Sequence, residues 1–86
     1  MKQGAPNSLK EYRKKAGYTQ QQVARLLGMA CYDRICLWEK GLAVPGLMNM
    51  LKLCSLFQVA IQQLYPELAD EAKEGVESAM LSEPLV

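Results

Sequence analysis

The stretch GYTQQQVARLLG, residues 17–28, carries the signals of a short helix bounded by two glycines. Thr19 followed by Gln22 has the form of a capping box, in which each side chain satisfies a backbone N–H of the other residue. An apolar stripe follows at helical spacing, formed by Val23, Leu26 and Leu27. Glycine commonly stands just beyond a helix end. The stretch therefore predicts one amphipathic helix, with a second helix ending at Gly17.

The next stretch, GMACYDRICLWEKG at 28–41, predicts a further helix that begins near Cys31 or Tyr32 and runs to about Lys40. Ile35 and Trp38 lie three residues apart and define its buried edge. The residues that fall opposite this edge or on its flanks are Tyr32, Asp33, Arg34, Cys36, Leu37 and Lys40. A thiol and a leucine on the outer side of a helix are unusual, and they ask for an explanation.

Helical spacing recurs outside these two stretches, and strand signals are weak. Ser8 and Glu11 suggest a capping box for a first helix that ends at Gly17. Residues 47–57 predict a fourth, largely buried helix, and residues 61–65 a short fifth one. An acidic amphipathic segment follows at about 67–80. The expected core consists of Leu9, Val23, Leu27, Ile35, Trp38, Leu51, Cys54 and Leu64.

This pattern predicts an all-α fold, a compact five-helix domain over residues 1–66 followed by an acidic C-terminal helix and tail over 67–86. No run approaches the roughly 18 apolar residues that span a bilayer. The opening MKQGAPNS contains no apolar stretch of the signal-peptide type, and we expect a cytoplasmic protein that does not engage membranes.

Several kinds of site are not expected from this composition. The chain has no histidine, and three cysteines at 31, 36 and 54 do not complete a four-ligand zinc site. An odd number of cysteines also argues against a disulfide framework. Neither a pair of carboxylates suited to catalysis nor a glycine-rich phosphate loop is evident. We therefore expect no enzyme activity, no metal and no cofactor.

Charge divides the chain into two parts. Residues 1–65 contain nine basic and three acidic side chains, a net charge of +6, whereas residues 66–86 contain one basic and six acidic side chains, a net charge of −5. A basic body suggests a polyanionic partner. Attraction between the two ends of the chain explains the asymmetry equally well.

The order of these motifs resembles the signature of the phage-repressor-like helix-turn-helix family, also called Cro/cI or XRE-type. That signature reads G-x-T-Q, an aliphatic-Ala pair and Leu-Gly, which the stretch at 17–28 matches. Ile35 and the string WEKG at 38–41 look like its continuation, I-x-x-W-E-x-G. The resemblance extends over residues 9–65.

The resemblance implies a transcriptional regulator, a repressor, that binds specific double-stranded DNA as a homodimer. The helix at about 31–40 would enter the major groove, with Tyr32, Asp33, Cys36 and Leu37 toward the bases. The DNA backbone would be contacted by Gln20, as the resemblance implies, and by Arg34 and Lys40, which lie beside the base-contacting residues on the same helix. The family also pairs an arginine of its first helix with a glutamate ending the third, which here are Arg13 and Glu39.

Three departures from the family pattern keep a second interpretation open. The family usually has polar residues where Cys36 and Leu37 stand, the loop at 42–44 lacks its usual basic residues, and the spacing from Gly28 to Gly41 is one residue longer than usual. A protein-interaction module that uses Cys36, Leu37, Leu42 and Val44 is the alternative. The C-terminal helix either pairs with its copy in a dimer, which we favour, or packs on its own core.

Overall fold

The computed structural model describes residues 6–82, and this part of the chain is helical with no strand. Its helices are α1 (Leu9–Ala16), α2 (Gln20–Leu26), α3 (Asp33–Glu39), α4 (Leu47–Phe57), α5 (Ile61–Leu64) and α6 (Pro66–Ser82). Residues 1–5, which begin the opening MKQGAPNS, and residues 83–86, which end the predicted tail, lie outside the described residues. The predicted all-α class is confirmed for the part of the chain that the structure describes.

The start of α1 differs from the prediction. Ser8 occupies the N-cap position, but its side chain makes no capping hydrogen bond. Its φ of −106° and ψ of 18° depart from the extended conformation in which a serine caps a helix. Asn7 takes over this role, because its Oδ1 accepts a hydrogen bond from the Leu9 N–H at 3.0 Å. The predicted capping box of Ser8 and Glu11 is therefore wrong.

The junction between α1 and α2 follows the sequence closely. Gly17 has a φ of +84°, the left-handed conformation that glycine adopts without steric cost, and it ends α1 as predicted. Thr19 Oγ1 then accepts from the Gln22 N–H at 3.0 Å, while Gln22 Oε1 accepts from the Thr19 N–H at 2.8 Å. The predicted capping box of α2 is confirmed.

The core is formed by side chains from α1 to α5. Six of the eight residues predicted for it lie in it, namely Leu9, Val23, Leu27, Ile35, Trp38 and Leu64. Ala24, Met50, Leu53 and Tyr65 are also buried there. Cys54 is half-buried at the edge of the core, where burial raises the pKa of its thiol. Leu26, which belongs to the predicted apolar stripe of α2, is exposed because Ala24 turns inward instead.

Leu51 is a clear error of the prediction, since 54% of its surface is exposed. Only Met50 and Leu53 of α4 are buried. Apolar side chains surround almost the whole circumference of α4, so the periodicity of the sequence does not single out one buried face. Packing against α1 and α5 selects the side with Met50 and Leu53, and Leu51 faces away.

The helix α6 packs against α5 and then leaves the body of the molecule. Leu68 packs against the core, but residues 70–82 are all exposed. The long dimension of the molecule, 49 Å against 28 and 21 Å, is consistent with this projection. No helix within residues 6–82 combines the length and apolar character needed to cross a membrane.

Candidate nucleic-acid interface

The orientation of α3 is set by two buried side chains. Ile35 is fully buried and Trp38 is almost so, and both pack in the core. At about 100° per residue, the opposite side of this two-turn helix presents Asp33, Leu37 and Lys40. All three are exposed, and Leu37 exposes 42% of its surface. The helix is therefore held by one edge, with its outer face available for contact.

The other residues of α3 and its start that were predicted to contact DNA lie around the outer face of this helix. Arg34 is exposed and Cys36 is half-buried. Tyr32 is exposed but occupies the N-cap position of α3 rather than its first turn, and its side chain makes no capping hydrogen bond. Cys31 instead donates its thiol to Asp33 Oδ2 at 3.7 Å across the start of the helix. Tyr32 thus lies at the end of the outer face.

Arg13 and Glu39, predicted to pair, form a bidentate ion pair that joins α1 to α3. Arg13 Nε donates to Glu39 Oε2 at 2.5 Å, and Arg13 Nη2 donates to Glu39 Oε1 at 3.2 Å. The side chains are only 10% and 4% exposed. Arg13 Nη1 also donates to the Tyr18 carbonyl oxygen at 3.0 Å, so the same guanidinium holds the segment between α1 and α2. Such charge-assisted bonds fix geometry well because the guanidinium is planar.

Gln20 belongs to the same network. Its Nε2 donates to Glu39 Oε1 at 3.0 Å, which links the first residue of α2 to the last residue of α3. The side chain is half-buried. A glutamine amide has two N–H donors and one acceptor oxygen, so one N–H and the oxygen remain available for a further partner.

An open depression of about 500 Å³ lies beside this network. It brings together the predicted backbone residue Gln20 and the predicted base residue Tyr32. The residues that line it come from the end of α1, the start of α2 and the start of α3, and they are Arg13, Gly17, Tyr18, Thr19, Gln20, Gln21 and Tyr32. Two side chains that are 12 positions apart in the sequence thus share one concave surface.

The sequence is similar to that of a known bacterial protein. The chain is 30% identical over 59 residues to the uncharacterized HTH-type transcriptional regulator YgzD of Bacillus subtilis (strain 168), across 69% of this chain and 88% of that protein. The chain belongs to the helix-turn-helix family of transcriptional regulators. No protein-family model matches it.

Helix-turn-helix regulators place the second helix of the motif in the major groove of DNA, while the first helix crosses the backbone. In this regulator α2 and α3 contact each other and are joined by six residues, 27–32. Gly28 in this connection has a φ of +79°. Met29 packs against the core from the same segment. The connection is therefore anchored to the core through Met29.

Some residues that support this surface were not found from the sequence. Asn7 Nδ2 donates to the Trp38 carbonyl oxygen at 2.8 Å and so supports the end of α3 from outside the motif. Lys52 Nζ donates to the Leu27 carbonyl oxygen at 3.1 Å, at the end of α2. Both contacts join residues more than 20 positions apart, and no local pattern indicates them.

Metal chemistry finds no support in the described part of the chain. Residues 6–82 contain no group of three or more histidine, cysteine, aspartate or glutamate side chains placed to hold a metal ion. The three cysteines are free, and Cys31 is exposed. The chemistry available at the outer face of α3 is hydrogen bonding, charge and apolar contact.

Proposed function

We propose that the chain is a sequence-specific regulator of double-stranded DNA, of the Cro/cI or XRE type, that acts as a cytoplasmic repressor by occupying an operator. In this proposal α2 and α3 form the helix-turn-helix motif and α3 enters the major groove. The observation that carries the proposal is the division of α3: Ile35 and Trp38 are buried, while Asp33 and Leu37 face outward from a helix fixed by the Arg13–Glu39 pair.

The outer face of α3 suggests how bases are read. Leu37 and the thiol of Cys36 would contact thymine methyl groups, which are the apolar feature of the major groove. Asp33 would accept a hydrogen bond from a cytosine amino group. Tyr32, at the N-cap of α3, would contact the edge of the site. Such contacts specify sequence, whereas contacts with phosphates set register.

Three further side chains are assigned to the phosphates. Arg34 and Lys40 are exposed cations on the flanks of α3, and each would release counterions when it binds. Gln20 would use the N–H that Glu39 leaves unoccupied. Because Glu39 also pairs with Arg13, the position of this amide is fixed before DNA arrives.

The same proposal includes a homodimer. Helix-turn-helix regulators commonly bind two half-sites related by two-fold symmetry. In this chain α6 leaves the body after Leu68, and apolar side chains at Val76 and Met80 are exposed along it. Burial of these side chains in a dimer would be favourable. We assign residues 1–66 to DNA binding and residues 67–86 to dimerisation, and we expect neither a cofactor nor catalysis.

Selection from a random pool of DNA duplexes tests this proposal. The purified protein is mixed with the pool at low salt, bound duplexes are isolated by electrophoretic shift, and the cycle is repeated. We expect enrichment of one sequence that consists of two related half-sites. A pool that stays unenriched, although the protein is folded, would overturn the proposal.

A protein-interaction module on the same fold is the second candidate. The observation that favours it is the exposure of Leu37, Leu42 and Val44, which are apolar and lie on or directly after α3. The variant Leu37→Arg separates the two functions. On the interaction hypothesis it abolishes binding of the protein partner and raises the affinity for nucleic acid, whereas on the leading proposal it changes the preferred DNA sequence.

A further inference from the structure

The outer side of α4 is an apolar face that no part of the chain within residues 6–82 covers. Leu47 exposes 78% of its surface and Met48 exposes 64%. Leu51 and Ser55 share this side of the helix at about 100° per residue, opposite the buried Met50 and Leu53. We call these four residues, Leu47, Met48, Leu51 and Ser55, the α4 outer face. Contiguous apolar surface of this kind commonly marks an interaction site.

A second uncovered apolar face lies on α6. Ala72, Val76, Ala79 and Met80 fall on one side of this helix, on the same side as Leu68. Leu68 packs against the core, but the other four are exposed because the helix has by then left the body. We call these four residues the α6 apolar face. It is carried on a projecting segment, residues 70–82, about 20 Å long at 1.5 Å per residue.

Charge distinguishes the two faces. Within the described residues, α6 carries five acidic side chains, Glu67, Asp70, Glu71, Glu74 and Glu77, against Lys73. No acidic residue stands between Glu39 and Glu67, and Lys52 is the only charged side chain of α4. On α4 an acidic helix therefore meets no acidic side chain, whereas two copies of α6 side by side would bring like charges together.

The side chains of the two faces also differ in size. The α4 outer face presents large side chains, at Leu47, Met48 and Leu51. The α6 apolar face is recessed at Ala72 and Ala79, whose side chains are small. Large side chains on one helix pack well against small ones on its neighbour, because the ridges of one fill the grooves of the other. Charge and shape thus favour the same pairing.

We propose that α6 of one copy of this chain docks on the α4 outer face of a second copy, and that the exchange is reciprocal. This inference rests on the homodimer of the proposed function and names its contact surfaces. A two-fold symmetric dimer would bury both faces twice. Pairing of α6 with α6, the simpler arrangement, is thereby disfavoured.

Sedimentation equilibrium of the full chain tests this contact. Leu51→Lys changes the α4 outer face, and Val76→Glu changes the α6 apolar face. Each variant alone is expected to weaken dimerisation at least ~tenfold, about 1.4 kcal/mol. Leu81→Glu is the matched control, because Leu81 is 89% exposed and lies on the opposite side of α6 from Val76. It should dimerise like the wild type.

Mixing the two weakened variants gives the decisive result. In a mixed dimer, α6 of the Leu51→Lys chain meets an unchanged α4 outer face, and the second contact pairs a lysine with a glutamate. We expect the mixture to recover dimers that neither variant forms alone. Circular dichroism checks that both variants are folded, and Leu47→Lys replaces Leu51→Lys if that variant is not.

The alternatives give different outcomes. If α6 pairs with α6, the variant Leu51→Lys dimerises normally. If α4 pairs with α4, the variant Val76→Glu dimerises normally. Either result overturns the proposed contact. A mixture that remains monomeric also overturns it. A wild type that stays monomeric at all concentrations rejects the homodimer itself, while the selection of DNA sequences is judged separately.

Discussion

Gln20 donates its side-chain amide to Glu39 at 3.0 Å, and this bond connects the beginning of α2 with the end of α3. Arg13 binds the same carboxylate from α1. One carboxylate therefore sets the relative position of three helices. In the proposed function, these contacts hold the phosphate-binding amide and the base-reading face in one rigid arrangement.

The Arg13–Glu39 pair should dominate the stability of this arrangement. Glu39→Gln leaves a buried guanidinium without its counter-charge, and we expect a loss of about 3 kcal/mol in the free energy of unfolding. Urea denaturation of Arg13→Met, Glu39→Gln and the double variant measures the coupling. The exposed Glu11→Gln is the control. Additive effects of the two substitutions would show that the pair contributes no coupling energy.

Gln20 should contribute to DNA affinity without contributing to sequence preference. Gln20→Leu removes a hydrogen bond to a charged group, worth about 1.5 to 3 kcal/mol, and should weaken binding to specific and random duplexes alike. The control is Gln62→Leu, an exposed position on α5. Titration of labelled duplexes measures both affinities. An effect confined to the selected sequence would contradict a role at the backbone.

Arg34 and Lys40 are predicted to bind phosphates, and salt dependence reports this directly. Each phosphate neutralised contributes about −0.9 to the slope of log affinity against log salt concentration. Arg34→Gln and Lys40→Gln should each make the measured slope shallower by about that amount. Lys73→Gln, on the acidic α6, is the control and should leave the slope unchanged. A slope that does not change in the two variants would remove these residues from the interface.

The hydroxyl of Tyr65 is buried without a hydrogen-bond partner among the described residues, and burial raises the pKa of Tyr65 to about 12. Tyr65→Phe removes an unsatisfied polar atom and keeps the ring, so stability at neutral pH should stay the same or rise by roughly 1 kcal/mol.

The pH dependence of Tyr65 has a defined sign. A phenol whose pKa is raised on folding favours the native state while it is protonated, so its contribution is full below pH 10 and is lost as the pH rises toward 12. The stability of Tyr65→Phe should therefore fall less than that of the wild type over this range. Parallel denaturation curves at pH 9 and at ~11.5 make the comparison. A larger fall in Tyr65→Phe would contradict this account.

The sequence predicts most helix boundaries because local chemistry determines them. Gly17 ends α1 through its left-handed conformation, and the Thr19–Gln22 capping box begins α2. Each signal depends on at most four consecutive residues. The orientation of α3 is equally predictable, since Ile35 and Trp38 are its only large apolar residues besides Leu37. These features depend on neighbours in sequence.

Other features depend on the whole fold and could not be predicted in the same way. The exposure of Leu51 follows from which side of an almost uniformly apolar helix meets α1 and α5. The capping of α1 by Asn7 follows from the backbone conformation of Ser8, not from its residue type. The bond between Gln20 and Glu39 joins positions 19 residues apart. None of these leaves a periodic signal in the sequence.

The central claim, that the outer face of α3 reads bases, is tested most directly by comparing selected DNA sequences between the wild type and Leu37→Gln. Glutamine pairs with adenine, whereas leucine contacts a thymine methyl group. The account predicts one enriched sequence for the wild type and a changed preference at one base pair of each half-site for Leu37→Gln, with the remaining positions and the Leu81→Gln control unchanged. An identical enriched sequence for wild type and Leu37→Gln would contradict it.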